Sequence, residues 1–305
     1  MAIGDVSEAT VGGCRDLYYV DTGMYDVEEY GSVWILDSER PALVETGIGT
    51  DYERILDALA TVGIDPADLA VIAPTHVHLD HAGGAGFLIE DCPNADVYVH
   101  ETGAPHLQDP ERLWEGTKRA VGEQIEFYTE PTPVPDDRIR ELQDGDVVDL
   151  GDHALRAYHA PGHAPHQVVF YDPTNDAVFT GDATGIYTPS TDEVHVTSPP
   201  PNFHAERCLD DVEMIRDLDP EVLCYSHFGP AETDELLGEY ERVLAQWVQS
   251  VAERREQLGD DDAVVESFVD EAEGVDVWGR RKAEAEARMN ATGVLVYFDR
   301  KEHDE

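Results

Sequence analysis

Residues 75–84 read THVHLDHAGG, so His76, His78, Asp80 and His81 crowd into six positions. The apolar run LAVIAPT (69–75) leads into the stretch, and two glycines close it. A neutral imidazole nitrogen and a carboxylate are both ligands for zinc and similar cations. On an extended segment His76, His78 and Asp80 project to one side, because the side-chain period of a strand is two. His81 is out of phase and needs a turn, which Ala82-Gly83-Gly84 permits. Isolated histidines are usually solvated. Four metal-competent groups at the end of an apolar strand point instead to a metal site.

One segment cannot complete such a site, and three later strand ends offer partners. APGHAPHQ places His163 after the strand pattern ALRAYH (154–159). FTGDATG places Asp182 at the end of AVFTGD (177–182), and CYSHFGP places His227 at the end of VLCYSH (222–227). Each is a ligand-type residue flanked by glycine or proline at the carboxyl end of an apolar strand, the edge at which open α/β sheets gather function. Further strands are expected at 17–20, 32–37, 42–46, 96–100, 146–150 and 167–172, with helices at 51–62, about 111–128 and 204–217. Residues 187–202 read as a loop with at most a small strand. After Pro230 the pattern changes to a long amphipathic helix over 232–258, then two shorter helices, then a strand-like GVLVYFD at 293–299.

The 305 residues can bury a sizeable core, and 41% are apolar, which excludes a disordered chain. The net charge is -46, from 66 acidic against 20 basic residues spread along the whole length. Only Lys118, Lys282 and Lys301 are lysines. Such a surface is expected of a halophile-adapted protein working in molar salt, where screening is nearly complete. It disfavours nucleic acid and anionic membranes as partners. The start, MAIGDVSEAT, lacks a basic and then apolar leader pattern, and no apolar run approaches the ~20 residues needed to span a bilayer. The expected location is therefore cytoplasmic. Cys14, Cys92, Cys208 and Cys224 show no pairing framework, in keeping with reduced thiols.

Taken in order, THVHLDHAGG, PGH, GDA and SH resemble the motifs of the metallo-β-lactamase-fold superfamily of hydrolases, over about residues 15–230. The resemblance implies an α/β fold, a four-layer αββα sandwich, with a two-metal site at one edge of the paired sheets. The chain would divide into a catalytic domain at 1–230 and a mainly helical C-terminal extension at 231–305, packed near the active site and contributing to a homodimer. Carried over residue by residue, His76, His78 and His163 would hold one metal, Asp80, His81 and His227 the other, and Asp182 would bridge both. Glu45 in LVETG stands where the family often has aspartate, and would support the site from behind its ligands. Two divalent ions, zinc foremost with iron or manganese as alternatives, would activate a hydroxide against a small ester, lactone or thioester. Asp80 would also shuttle the proton.

PGHAPHQ is similar to the corresponding stretch of lactonases and thioesterases in that superfamily, which makes His166 a supporting or substrate-contacting candidate. Tyr187, five residues after Asp182, could steady an oxyanion or leaving group. His100, His106, His153, His159, His195, His204 and His303 belong to no constellation and read as structural or solvated. Arg280, Arg281 and Lys282 could recognise a carboxylate, but a solvated helix face paired to Glu284 and Glu286 is the favoured reading. Two rivals to a hydrolase remain. One is an iron-dependent oxidoreductase resembling persulfide dioxygenases of the same fold. The other is a non-catalytic metal-binding protein.

Overall fold

The computed structural model describes residues 1–233, 235–272 and 278–304. Strands β1 (Val6–Glu8), β2 (Leu17–Asp21), β3 (Ser32–Leu36), β4 (Ala42–Val44), β5 (Val71–Ala73), β6 (Asp96–His100) and β7 (Ile139–Leu142) form one sheet in chain order. Pairing is antiparallel from β1 to β4 and parallel from β4 to β7. The later strands are β8 (Val147–Asp149), β9 (Ala154–His159), β10 (Val168–Asp172), β11 (Ala177–Gly181), β12 (Ile186–Thr188), β13 (Glu193–His195), β14 (Val222–Tyr225) and β15 (Gly229–Glu232). Six of them make the second sheet, ordered β15-β14-β11-β10-β9-β8, and β12 with β13 makes a separate ribbon. Within the second sheet only the β11–β14 pair is parallel.

Alternation along these strands builds the layers. Trp34, Leu36, Ala42 and Val44 of the first sheet share a buried cluster with Phe170, Ala177, Phe179, Val222 and Cys224 of the second. The out-of-phase residues Val33, Ile35, Leu43 and Ile72 turn the other way. They meet Ile55, Ala58 and Leu59 of helix α1 (Glu53–Val62). Past the four-residue α2 (Leu79–Ala82), they also meet Leu88 and Ile89 of α3 (Ala85–Asp91) and Ala104 and Leu107 of α4 (Ala104–Gln108). Next in the chain is α5 (Glu111–Val121). On the far side, Val169, Val178 and Leu223 pack on Cys208, Val212 and Ile215 of α6 (Ala205–Asp217). Period-two strands buried on both faces, each face covered by helices, give four layers, αββα. The sheets are also tied by a hydrogen bond, from the Trp34 indole to the Tyr225 carbonyl at 3.1 Å.

Helices α7 (Leu236–Leu258), α8 (Asp261–Glu271) and α9 (Gly279–Asp304) follow. The apolar stripe of α7 is covered within the chain: Leu236, Leu237, Tyr240, Leu244 and Val251 join the α6 cluster. The boundary expected at residue 230 falls inside β15. Two expectations about local structure fail. GVLVYFD is not a strand but lies in the second half of α9, where Val294, Leu295 and Tyr297 are buried with Ala291 at helical spacing. Gly293, which looked like a strand start, instead lets α9 approach the Ser198 carbonyl, which a Cβ there would meet at 1.7 Å. The segment 122–127 is a 3-10 turn, not a continuation of the helix, because Gly122 leaves the helical conformation at φ 57°. Among the described residues, no helix is long and apolar enough to cross a membrane.

Candidate metal centre

The parallel pairs β4–β5 and β11–β14 send their carboxyl ends to one edge of the sandwich. Glu45 follows β4, and Thr75 and His76 follow β5. His163 follows β9, Asp182 follows β11, and His227 follows β14. A cross-sheet bond, Val168 N–H to the Thr75 carbonyl at 2.9 Å, pins the two sheets together at that edge. The local reading of THVHLDHAGG needs one correction. β5 ends at Ala73 and the chain bends from Thr75 to His78; α2 begins immediately after His78, so Asp80 sits in its first turn and His81 beside it. The helix divides the motif between two groups of ligand-type atoms.

His78 Nδ1 lies 3.0 Å from His76 Nε2 and 3.0 Å from His163 Nε2. Asp80 Oδ2 lies 3.8 Å from both His81 Nε2 and His227 Nε2. Asp182 stands between these groups. Its Oδ2 is 3.3 Å from His163 Nε2, while its Oδ1 is 3.2 Å from His81 Nε2 and 3.5 Å from His227 Nε2. All seven side chains named from the sequence therefore meet.

The surrounding hydrogen bonds fix which imidazole nitrogens are free. Glu45 can only accept, so His81 Nδ1 donates to Glu45 Oε1 at 3.1 Å and leaves a lone pair on Nε2. Thr75 gives its hydroxyl proton to Glu45 Oε1 at 2.6 Å, so its oxygen accepts from His76 Nδ1 at 3.1 Å. His227 Nδ1 donates to the Tyr30 carbonyl at 2.9 Å. Three Nε2 lone pairs thus point inward. His81 Nε2, His163 Nδ1 and Asp182 Oδ1 are buried without a hydrogen-bond partner, a state that costs about 1–3 kcal/mol per group in an uncompensated interior. A tetrahedral zinc with bonds of 2.0–2.1 Å holds its nitrogens about 3.3 Å apart, close to the spacing of the three-histidine group. The donor set fits divalent cations.

The electrostatics are divided in the same way. Burial and neighbouring imidazoles push His76 well below its ordinary pKa, and burial pushes His78 down to about 3. Burial also opposes charge on His81, but Asp182, Glu45 and Asp80 together outweigh it and hold that pKa well above the usual value. One half of the site therefore offers neutral imidazoles; in the other, the carboxylates that favour a proton on His81 Nε2 equally favour a cation in its place.

The cluster floors a cavity of about 420 Å³, walled by Leu79, Leu113, Tyr25, Tyr128, Ile186 and Met289. His166 lines it beside His78, with ring centroids 5.4 Å apart. Tyr187 does not reach it: its hydroxyl bonds Asp192 at 2.9 Å and its ring stacks on Tyr225. The phenols that do line the cavity are Tyr25, Tyr30 and Tyr128, and His106 joins them. Sequence reasoning missed all four, since no local motif marks them. A groove of about 570 Å³ between Arg216 and Arg242 is larger but contains no member of the cluster. Of the basic run on α9, Arg280 pairs with Glu284 on an exposed face, as expected, whereas Lys282 and Glu286 pair at 2.6 Å in the interior.

Residues 27–227 match the family described as the Metallo-beta-lactamase superfamily. The acyl-coenzyme A thioesterase MBLAC2 of Gallus gallus is 29% identical over 181 residues, which span 54% of this chain and 62% of that protein. The matched stretch thus falls short of two thirds of that relative's length. A metallo-beta-lactamase fold-containing protein of Sulfurisphaera tokodaii is 24% identical over 221 residues, 71% of this chain and 79% of its own. The crystal structure of an archaeal metallo-beta-lactamase superfamily protein from Sulfolobus tokodaii superposes with a TM-score of 0.70 at 22% identity, covering 92% of this chain and 99% of that one.

Proposed function

Because the chain belongs to the metallo-β-lactamase superfamily, we propose that it is a metal-dependent hydrolase of small thioesters, with esters and lactones as neighbouring substrate classes. The observation that carries the reading is the pair of ligand groups sharing Asp182 on the floor of a cavity sized for a small molecule. The thioester preference is supported by likeness to an acyl-coenzyme A thioesterase. His76, His78 and His163 would hold one cation, Asp80, His81 and His227 the other, with Asp182 between them; zinc is the proposed metal. When bound, such a pair makes a water more acidic near neutral pH and polarises a carbonyl oxygen.

The side chains supply the rest. Asp80 is 25% exposed against 4% for Asp182, so it is the carboxylate that faces substrate. Asp80 takes the proton of the attacking water as the C–O bond forms, and returns it to the leaving sulfur as the C–S bond breaks. Thr197 donates to Asp182 Oδ2 at 3.2 Å and fixes that carboxylate's rotation. Burial first, and then nearby carboxylates and phenols, keep Tyr25 and Tyr128 protonated far beyond neutral pH; their hydroxyls bond each other, which uses one proton and leaves the other to donate toward a carbonyl oxygen. Leu79, Leu113, Ile186 and Met289 exclude water and accommodate an acyl chain.

The test is a panel of an acyl thioester, an aryl ester, a lactone and a phosphodiester, assayed in molar potassium chloride with metal content measured alongside. The thioester should give the highest kcat/KM, and Asp80→Asn should lower it by roughly 10²- to 10⁴-fold. Oxygen consumption with a persulfide substrate and no hydrolysis of any panel member would replace the hydrolase reading.

A further inference from the structure

Helix α5 forms one wall of the cavity, and its cavity-facing stripe is unusual for this chain. Arg112, Gly116 and Arg119 fall at i, i+4 and i+7, so they share a face, and all three line the cavity. The remaining charged residues of the helix behave as ordinary surface. Lys118 is paired with Glu115 at 2.7 Å and lies over the Trp114 ring. Arg112 and Arg119 are exposed and, among the described residues, have no carboxylate within salt-bridge reach. In a chain with 66 acidic and only 20 basic residues, two unneutralised guanidinium groups on one cavity wall are not what chance placement supplies.

Gly116, between the arginines, adds a second observation. A glycine in a helix interior costs about 1 kcal/mol relative to alanine. Nothing in the protein requires it there: a Cβ would touch only Arg119 Nη2, at 4.0 Å. That contact also places the Arg119 guanidinium back over Gly116, on the cavity side. The charge of Arg112 reaches His106, another lining residue, whose pKa is lowered by burial and then by that guanidinium. The helix therefore roots two cationic side chains on the cavity wall about 10 Å apart along its axis, and the glycine leaves room for the Arg119 guanidinium to fold back toward Arg112.

We propose that α5 carries an anion-binding subsite in which Arg112 and Arg119 hold phosphate groups on the thiol portion of the substrate. The inference rests on the thioester reading above and specifies the kind of thioester: one whose leaving thiol carries phosphates. Guanidinium is the side chain best matched to phosphate, since its planar donors bind two oxygens at once. Two guanidinium groups rooted two helical turns apart on one wall suit a substrate with phosphates at more than one position. The acyl group then lies toward Leu79, Ile186 and Met289, and the phosphates toward α5.

Two measurements test this. The first compares an acyl-coenzyme A with the same acyl group on N-acetylcysteamine, an identical thioester without phosphates. The Arg112→Ala/Arg119→Ala variant should lower the ratio of the two kcat/KM values at least tenfold, mainly through KM for the coenzyme A substrate. An unchanged ratio overturns the subsite. The second titrates adenosine 3′,5′-bisphosphate into the wild type and the double variant by calorimetry, at the lowest salt that keeps both folded. The wild type should bind at least tenfold more tightly, and equal binding overturns the proposal. If the wild type hydrolyses neither thioester, the thioester reading fails, and the calorimetric result still decides the anion subsite by itself.

Discussion

Glu45 Oε1 accepts from the Thr75 hydroxyl at 2.6 Å, the Ser226 hydroxyl at 2.7 Å and His81 Nδ1 at 3.1 Å, so one oxygen joins the ends of both sheets to a ligand-type histidine. The residue holds φ 72°, a left-handed backbone that a side chain other than glycine adopts only when its surroundings enforce it. Glu45→Gln removes the charge and leaves His81 free to turn. Metal affinity by chelator competition should fall about 10- to 100-fold while the melting profile stays cooperative. Asp211 acts at a greater remove: its carboxylate accepts the Gly162 N–H at 2.7 Å and so sets the loop that carries His163. Burial pushes its pKa up from 3.8 to about 7. The folded state therefore binds that proton more tightly than the unfolded chain, and stability is lost as pH rises from about 4 through 7. At about 1.4 kcal/mol per unit, the ceiling is about 4 kcal/mol. Asp211→Asn keeps an acceptor and cannot ionise. Melting curves should show its advantage over the wild type growing between pH 5 and pH 8, and a constant difference would refute the assignment. At this scale the seven ligand-type residues were legible, because each stands at a strand end beside a glycine, a proline or another ligand. Tyr25 and Tyr128, which meet 103 positions apart, carry no such mark, nor does Asp211.

The elements divide along the same line. Strands with a β-branched, apolar run between turn residues were readable. β7 was not, since its pattern is only two buried residues around two exposed ones. GVLVYFD was misread because its valines and aromatics suit a strand, while the evidence for a helix lay in the uninterrupted run before it. The consequence extends to the cavity, since α9 brings Glu286 and Met289 to its wall. There Lys282 Nζ lies 3.5 Å from the Tyr25 ring centre and 4.2 Å from that of Tyr30, and it donates to Glu286 at 2.6 Å and Gln124 at 3.1 Å. Lys282→Met strands the Glu286 charge and should destabilise the protein by roughly 3–5 kcal/mol in chemical denaturation. Adding Glu286→Gln, which still accepts the Tyr30 hydroxyl, should recover most of that loss. If the double variant is no more stable than the single one, the pair is not an isolated charge balance.

For the whole molecule, chain order and spatial order differ in a useful way. Residues at 45, 76–81, 163, 182 and 227 are scattered along the sequence, and the parallel pairs β4–β5 and β11–β14 return them to one edge. The four layers were legible as a family resemblance; the alternation of buried residues in β3, β4, β11 and β14 gives their physical cause. From the sequence the C-terminal helices are expected near the active site and in a homodimer, but an apolar stripe says only that a face is covered, not by what. The stripe of α7 is covered by the chain's own α6, α8, α9 and β13. The acidic surface is spread over this frame, and the cavity on α5 departs from it. The central claim is that the edge holds two divalent cations with Asp182 between them. The most direct measurement is elemental analysis of protein purified without added metal or chelator, on the wild type and Asp182→Ala side by side. The claim predicts close to two divalent ions per wild-type chain, zinc foremost, and fewer than one in the variant. A reproducible single iron per wild-type chain, or an Asp182→Ala protein that keeps both ions, would contradict it.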